Sequence, residues 1–400
     1  MIRAWLENAP RPTTICALTA LTALLFSVHT DHPHAVDPAW ISVILCGIPI
    51  LYTSLHSLLC ARRIRAELLV SAALIAALAA GEYLAAGGIA LIMQFGTMLE
   101  EQVILRAQRS VRALHAEAHA ACSMRTIDVH AASMVQASER TAVRLILLAF
   151  ALAGAIWWCT GNFDRAVTAL VVFCPCAFVH ATPMAVSAAI GSLAQHGILL
   201  RTSRALERLS HMENIVFTPD AIAPAGCMQA DARQLVAKLR HMGMHPVLLA
   251  PAGENAQQIA AQAGIRDIRS ALPPSNDPFA AATALVRRGG GSTPALNECL
   301  HIALGGASDD TADVICSTHD LTPLPLLLST ARRMRQKIEQ NALFGLTLNF
   351  IALGLAVCGW LTPLAGAVWH NAAAIFIVLN AAFLIAAGNR EKKIAFSTSL

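Results

Sequence analysis

The sequence predicts a mainly α-helical, polytopic membrane protein in which about eight transmembrane helices carry one small cytoplasmic α/β domain. Three observations predict this fold class. Of the 400 residues, 56% are hydrophobic and only 14% are charged. Eight apolar stretches reach the roughly 17–25 residues that a helix needs to cross a bilayer. Basic residues alternate between successive loops as membrane topology requires. The net charge of +4 is therefore a sign of topology, and we expect no nucleic-acid partner.

The predicted spans follow one another in a regular order. They lie near residues 13–30, 40–60, 66–82, 84–100, 143–160, 165–187, 342–361 and 366–388. Lys and Arg cluster before the first span, after the second, after the fourth and in the tail, whereas the loops inside each pair of spans hold none. This asymmetry puts both termini in the cytoplasm. We expect an integral protein of the bacterial inner membrane, with a first span that is not a cleaved signal peptide.

These spans divide the chain into five segments. Residues 1–100 hold the first four helices, and residues 101–142 form a polar insert that is too short for a sizeable core. Residues 143–190 hold helices five and six, residues 191–340 form a second insert, and residues 341–400 hold the last two helices and the tail.

The second insert has the pattern of a small α/β domain. Its short apolar runs Asn214–Phe217 and Pro246–Leu249 predict buried parallel strands. Helical patterns at 230–243, 254–264 and 277–288 alternate with these strands. The alternation predicts a thin Rossmann-like domain.

The sixth predicted span contains the sequence Cys174-Pro175-Cys176. Proline has no amide hydrogen to donate and leaves a carbonyl free, so the helix is expected to open there. The flanking thiols offer two soft ligands of the kind that select Cu(I), Zn(II) and similar ions. The alternative is that both thiols act only as small hydrophobic side chains beside a kink.

Other polar residues at membrane depth support a metal site, because ionisable groups in a bilayer are costly and tend to be functional. The candidate ligands besides the two thiols are Glu82, Asn349, His370 and Asn371. The alternatives are that Glu82 is solvated at the membrane surface and that the ring nitrogens of His370 are hydrogen-bonded within the helix bundle. A further weak metal-binding patch is predicted in the outer loop, against the alternative of a solvated loop; its residues are His29, Asp31, His32 and His34.

Taken together, these residues resemble the transition-metal P-type ATPases. The segment from Cys174 to Pro183 resembles the CPCxxxxATP helix of that family, and His196 to Leu209 resembles its following GILI…ALERL segment. In the last span, His370-Asn371-Ala372 followed by Val378-Leu379-Asn380 is similar to the HNxS…VLN pattern of some members. The resemblance implies an eight-helix pump for a metal of the Zn, Cu, Mn or Co class, with a HAD-like phosphorylation domain.

The catalytic motifs of that family are altered in this chain. Its nucleophile motif DKTGT should follow Phe217, but Thr218 occupies the aspartate position and Pro219 the lysine position. Asp220 stands two residues further on, where a nucleophile would miss the in-line geometry of phosphoryl transfer. The magnesium-binding GDGxNDxPAL becomes the segment 289–296 without either aspartate.

Two further parts of the phosphorylation cycle have no counterpart. No TGES tetrapeptide occurs, and the insert 101–142 is too short for an actuator domain. About a dozen residues stand where a nucleotide-binding domain would lie. The resemblance therefore implies a degenerate homologue with no catalytic residue, apart from Asp220 as a weak substitute, and without ATP or Mg²⁺ as cofactors.

The sequence thus predicts a protein that binds or translocates a transition-metal cation and does not form an aspartyl-phosphate. Its expected partners are the lipid bilayer, the metal ion and a partner membrane protein or metallochaperone. Two alternatives remain open. One is an ATP-driven pump with rearranged chemistry at Asp220, and the other is a non-catalytic regulatory or assembly subunit of a metal-handling complex.

Overall fold

The computed structural model describes residues 16, 19–25, 27, 37–60, 62, 64–99, 133–251, 253–271, 279, 282–289, 299–305 and 312–397, without the side chains of 177, 178, 180 and 382–397. The predicted outer-loop patch of His29, Asp31, His32 and His34 lies outside these residues, as does most of the insert 101–142. The chain forms two compact units. The first comprises residues 1–105, 137–181 and 340–380, and the second comprises 106–136, 182–339 and 381–400.

The described helices and strands are numbered here in chain order. They are α1 (Ala39–Leu59), α2 (Glu67–Ala79), α3 (Tyr83–Leu99), α4 (Ser133–Thr160), α5 (Phe163–Val172), α6 (Cys176–Ala194), β1 (Ile198–Leu200), α7 (Ser203–Ser210), β2 (Asn214–Phe217), α8 (Pro219–Ile222), α9 (Ala232–His241), β3 (His245–Leu249), α10 (Glu254–Ala263), β4 (Asp267–Arg269), β5 (Thr283–Arg288), β6 (Leu300–Leu304), β7 (Val314–Cys316), α11 (Pro323–Val357) and α12 (Pro363–Ser397).

Helices stand where the sequence predicts membrane spans. Among the described residues, α1, α4, α11 and the part of α12 up to Ala381 are long and apolar enough to cross a membrane. Three shorter apolar helical segments also overlap predicted spans, namely α2, α3 and residues 181–194 of α6. This apolar helical content confirms an integral membrane protein, while the count of eight spans stays a prediction. Helix α4 begins at Ser133, so the end of the polar insert is already helical, ten residues before the predicted span at 143.

The sixth predicted span is not one continuous helix. Helix α5 ends at Val172 and α6 begins at Cys176, with Phe173, Cys174 and Pro175 between them. Helix α5 has a side-chain cap at its start, where the Asn162 side chain accepts a hydrogen bond from the Arg165 amide at 3.3 Å. The opening at Pro175 is therefore confirmed, and the predicted span 165–187 is corrected to two helices.

The break is held inside the first unit by close packing. Phe173 is 1% exposed and meets the Phe350 ring of α11 edge to face, with ring centroids 5.2 Å apart. It belongs to one buried cluster that includes Leu69, Leu74 and Ile146 of neighbouring helices. A polar link joins α1 to α3, since the buried Ser42 hydroxyl donates to the Gly87 carbonyl at 2.8 Å. The irregular backbone is thus covered by protein, as a membrane environment requires.

The second unit contains a seven-stranded sheet of order β1-β7-β6-β5-β2-β3-β4. All neighbouring pairs are parallel except β1 and β7. The two predicted strands are confirmed as β2 and β3, and the predicted helices at 230–243 and 254–264 are confirmed as α9 and α10. The strand order agrees with the predicted Rossmann-like domain.

One predicted element of this domain is wrong. The sequence pattern predicts a helix at 277–288, but Thr283–Arg288 forms β5 between β2 and β6. Five consecutive residues, Thr283 to Arg287, are buried. A strand that is covered on both faces has a continuous run of apolar residues. A short apolar run has no periodicity that distinguishes a strand from a buried helix.

The sheet predicts a difference in thiol reactivity within this unit. Burial, aided by the charge of Asp320, raises the pKa of the Cys316 thiol on β7 to about 12, whereas Cys227 is exposed. At about pH 8 only roughly one Cys316 in ten thousand is then a thiolate. We expect iodoacetamide to modify Cys227 at least about a hundredfold faster than Cys316, as measured by mass spectrometry of the peptides. Unfolding in denaturant is the control and should equalise the rates. Equal rates in the folded protein would contradict this arrangement of the sheet.

Candidate metal centre

Three potential metal ligands meet in the first unit at the break between α5 and α6. One ligand atom each from Cys174, Cys176 and His370 lies within 4.8 Å of the others. Cys176 Sγ is 2.8 Å from His370 Nε2. Cys174 and His370 are 2% and 3% exposed, and Cys176 is half-buried. In the part of the chain that the structure describes, this is the one group of three or more such ligands.

The helix break places the two thiols on different local backbones. Cys174 lies in the irregular segment, and its thiol points to the Ala66 carbonyl at 3.9 Å. Cys176 is the first residue of α6. Two cysteines separated by one residue on an unbroken helix would lie about 200° apart around its axis. Opening the helix at Pro175 removes this restriction, so both sulfur atoms reach the same small volume.

Asn349, a predicted ligand on α11, supports this segment from the side. Its side-chain amide donates to the Cys174 carbonyl at 3.4 Å. This hydrogen bond to the backbone of the break replaces one of the backbone hydrogen bonds that a continuous helix would supply. The structure therefore brings Asn349 next to the cluster, with its nitrogen bound to the main chain.

His370 and Asn371 are neighbours on α12, but their contacts differ. His370 meets the thiols, whereas the Asn371 amide donates to the Ile92 carbonyl of α3 at 3.2 Å and to the Ala367 carbonyl of its own helix at 3.0 Å. Gly96 of α3 makes this approach possible, because a Cβ atom there would overlap Asn371 Oδ1. In its described contacts Asn371 joins two helices, and its role as a ligand stays a prediction.

Glu82 is placed outside the cluster. It lies in the turn between α2 and α3, is exposed, and its amide donates to the Ala77 carbonyl at 3.0 Å. The group of Cys174, Cys176 and His370 does not include it. A part for Glu82 in metal transfer stays a prediction.

The second unit shows what occupies the predicted nucleophile position. Thr218 follows β2 at the carboxyl edge of the sheet, and both its amide and its hydroxyl donate to the Val286 carbonyl of β5, at 3.1 and 3.3 Å. Asp220 is exposed in the short helix α8. The side chain at the end of β2 is therefore a neutral hydroxyl that bonds to the neighbouring strand.

A polar contact between the last two long helices was not predicted. The Asn380 amide donates to Asn341 Oδ1 at 2.6 Å, and the buried Asn341 donates in turn to the Ile377 carbonyl at 3.4 Å. Asn380 was visible in the sequence as an interruption of an apolar stretch, whereas Asn341 stands at the polar end of its stretch, after Glu339 and Gln340. Only the packing of α11 against α12 shows that the two form a pair.

The donor set defines which ions fit the cluster. Two sulfur atoms and one imidazole nitrogen suit soft and borderline cations such as Zn²⁺, Cd²⁺ and copper. With Zn–S bonds of about 2.3 Å and a Zn–N bond of about 2.0 Å, ligand atoms around a tetrahedral ion stand about 3.5 Å apart. The observed separations of 2.8 Å and up to 4.8 Å reach that value through side-chain shifts of about 1 Å. The residues present therefore fit such an ion.

Comparison with known proteins identifies similar chains. No protein-family model matches this one. A probable cadmium-transporting ATPase of Listeria monocytogenes is 30% identical over 176 residues, which are 40% of this chain and 24% of the relative. A probable cation-transporting ATPase G of Mycobacterium tuberculosis is 33% identical over 175 residues, which are 40% of this chain and 22% of the relative. The match thus spans about a quarter of the length of these curated relatives.

Solved structures extend the similarity at the level of the fold. The crystal structure of a zinc-transporting PIB-type ATPase in the E2.Pi state matches with a TM-score of 0.57 at 15% identity, over 93% of this chain and 99% of that chain. A second crystal structure of a zinc-transporting PIB-type ATPase, captured in a different state, matches with a TM-score of 0.55 at 16% identity, over 95% of this chain and the whole of that chain. At such low identity these matches describe the fold alone.

The contact between Gly96 and Asn371 predicts a specific sensitivity. We expect Gly96→Ala to destabilise the protein by about 1–3 kcal/mol, because the new Cβ collides with a buried, hydrogen-bonded amide. Gly154→Ala is the matched control, since a Cβ at this position of α4 meets nothing within 4 Å. The control should be neutral or stabilising by up to about 1 kcal/mol. Thermal unfolding of the purified protein measures both, and equal effects would contradict the described packing.

Proposed function

Since this chain is a homologue of heavy-metal P-type ATPases over about two fifths of its length, we propose that it binds a transition-metal cation at Cys174, Cys176 and His370 and passes it across a membrane. The observation that carries the proposal is the buried cluster itself, with its three ligand atoms within 4.8 Å. The cluster lies at a helix break, where the backbone leaves room for an ion between packed helices.

Charge balance favours a divalent ion. An ion in a dry site is stable only when its ligands neutralise it. Two thiolates and a neutral imidazole carry two negative charges, which match Zn²⁺ or Cd²⁺, whereas Cu⁺ would leave one negative charge uncompensated. The relatives named for cadmium and zinc point the same way. We therefore propose a divalent ion of the zinc and cadmium class as the substrate.

We propose further that this chain does not form an aspartyl-phosphate. The position after β2 holds Thr218, whose hydroxyl donates to Val286 at 3.3 Å, and a neutral hydroxyl is a weak nucleophile without an adjacent base. Asp220 lies two residues further on, on an exposed helical turn. Ion movement then follows the concentration gradient or a transfer to a partner protein.

We also propose that both termini lie in the cytoplasm and that the membrane is the bacterial inner membrane.

Removing the thiols tests the proposed site. We expect Cys174→Ser with Cys176→Ser to weaken Zn²⁺ and Cd²⁺ binding at least about a hundredfold, because both soft ligands are lost. Cys358→Ser is the matched control, since this cysteine is exposed and lies outside the cluster. Equilibrium dialysis with metal analysis measures binding, and proteoliposome flux measures transport. Unchanged binding in the double variant, or loss of binding in the control, would overturn the proposed site.

The phosphorylation state tests the second part of the proposal. Incubation with radiolabelled ATP should give no acid-stable phosphoprotein and no vanadate-sensitive hydrolysis, with or without Zn²⁺, because the nucleophile position holds Thr218. Asp220→Asn is the informative variant. A phosphoprotein that forms in the natural sequence and disappears in Asp220→Asn would show the alternative, an ATP-driven pump with rearranged chemistry.

A further inference from the structure

A cavity of about 120 Å³ adjoins the thiol and imidazole cluster within the first unit. It lies among α4, α11, α12 and the break between α5 and α6. Most of its wall is apolar and built from small side chains, while the polar groups gather where it meets the cluster and at Thr141. The lining residues include Thr141, Cys174, Gly345, His370, Ala373 and Ala374.

The cluster supplies three protein ligands, one fewer than a tetrahedral ion binds. Sites with three protein ligands hold a water or a substrate atom in the fourth position, whereas structural sites close it with a fourth side chain. Among the described residues, the cluster contains no fourth His, Cys, Asp or Glu. Two of its three members, Cys174 and His370, line the cavity. The open position of a bound ion therefore faces this space.

The size of the cavity suits a small ligand. A water molecule occupies about 30 Å³ of liquid, so 120 Å³ holds water together with a small anion. The space exists because the wall residues are small, among them Gly345, Ala373 and Ala374. At Gly345 even a Cβ would approach Ile377 Cδ1 to 3.1 Å. A larger side chain on this wall would take the room that a ligand needs.

One end of the cavity lies near the predicted membrane boundary. Thr141 is exposed and stands between Arg140 and Arg144, just before the predicted span 143–160. Arginine side chains at the end of a span extend to the membrane surface. The Thr141 end of the cavity therefore lies near the aqueous boundary, and its inner end lies at the ligands.

We propose that an ion bound at Cys174, Cys176 and His370 keeps its fourth coordination position for an exchangeable small donor held in this cavity, either water or a small anion. This inference rests on the proposed metal site. Exchange replaces one neutral or anionic donor by another, with no change in the oxidation state of the ion. An ion held in this way is released more easily than one enclosed by four side chains, because an incoming donor binds before a protein ligand leaves.

Cobalt spectroscopy of the full-length protein in lipid nanodiscs tests the inference. Co²⁺ is the probe, because its visible bands report the number and type of its ligands, and thiocyanate is the added anion. We expect saturable spectral change on thiocyanate addition to the Co²⁺ protein. In Ala373→Leu, which fills the cavity, the apparent affinity for thiocyanate should fall at least about tenfold, while Co²⁺ stays bound.

A matched control makes the outcome decisive. Ala372→Leu serves as this control, because the residue is exposed on the same helix and does not line the cavity. It should respond to thiocyanate like the natural sequence.

The results separate the two proposals. Co²⁺ bound through the thiols without any thiocyanate effect would overturn the exchangeable ligand and leave the metal site standing. An equal thiocyanate affinity in Ala373→Leu and Ala372→Leu would also overturn it. Failure of the natural sequence to bind Co²⁺, Zn²⁺ or Cd²⁺ would overturn the metal site itself. If Ala373→Leu does not fold, Ala373→Val adds less volume and is expected to give a smaller loss of thiocyanate affinity.

Discussion

The opening of the helix at Pro175 determines the arrangement of the thiol and imidazole cluster. In an apolar environment a helix keeps its backbone bonds internal, and a proline, which has no amide hydrogen to donate, favours an opening. The chain responds by ending α5 at Val172 and starting α6 at Cys176. The open segment frees Cys174 and Cys176 from helical geometry, and the freed backbone requires support from neighbouring helices. The cluster and the Asn349 contact both follow from this opening.

Asparagine side chains make polar contacts at the break and between the helices of the first unit. Asn349 donates to the Cys174 carbonyl, Asn371 donates to the Ile92 carbonyl, and Asn380 donates to Asn341. Hydrogen bonds between membrane helices contribute modestly, at about 0.6 kcal/mol on average, but they select one rotation of each helix. A neutral amide is suited to this because it costs less in a bilayer than a charged group. The bundle therefore places its polar residues at helix contacts and at the cluster.

The sheet of the second unit is stabilised by its core. Its core is apolar and continuous, with Val216, Val247 and Leu285 packed together. The stability of such a sheet depends on burial and on strand pairing, not on the residues at its carboxyl edge. Thr218 at that edge is compatible with the fold, because its buried hydroxyl donates to the Val286 carbonyl.

The sequence by itself determined the apolar helices, the opening at Pro175, the two thiols and the threonine that follows β2, because each depends on residues that are neighbours in the chain. It did not distinguish β5 from a helix, since a short buried run has no diagnostic period. The tertiary structure decided that His370 meets Cys176 across 194 residues, and that the next residue, Asn371, contacts α3. Successive residues on a helix point about 100° apart, so the rotation of α12 against its neighbours decides which of the two residues meets the thiols. That rotation depends on contacts such as Gly96 with Asn371, which pair residues from distant parts of the chain.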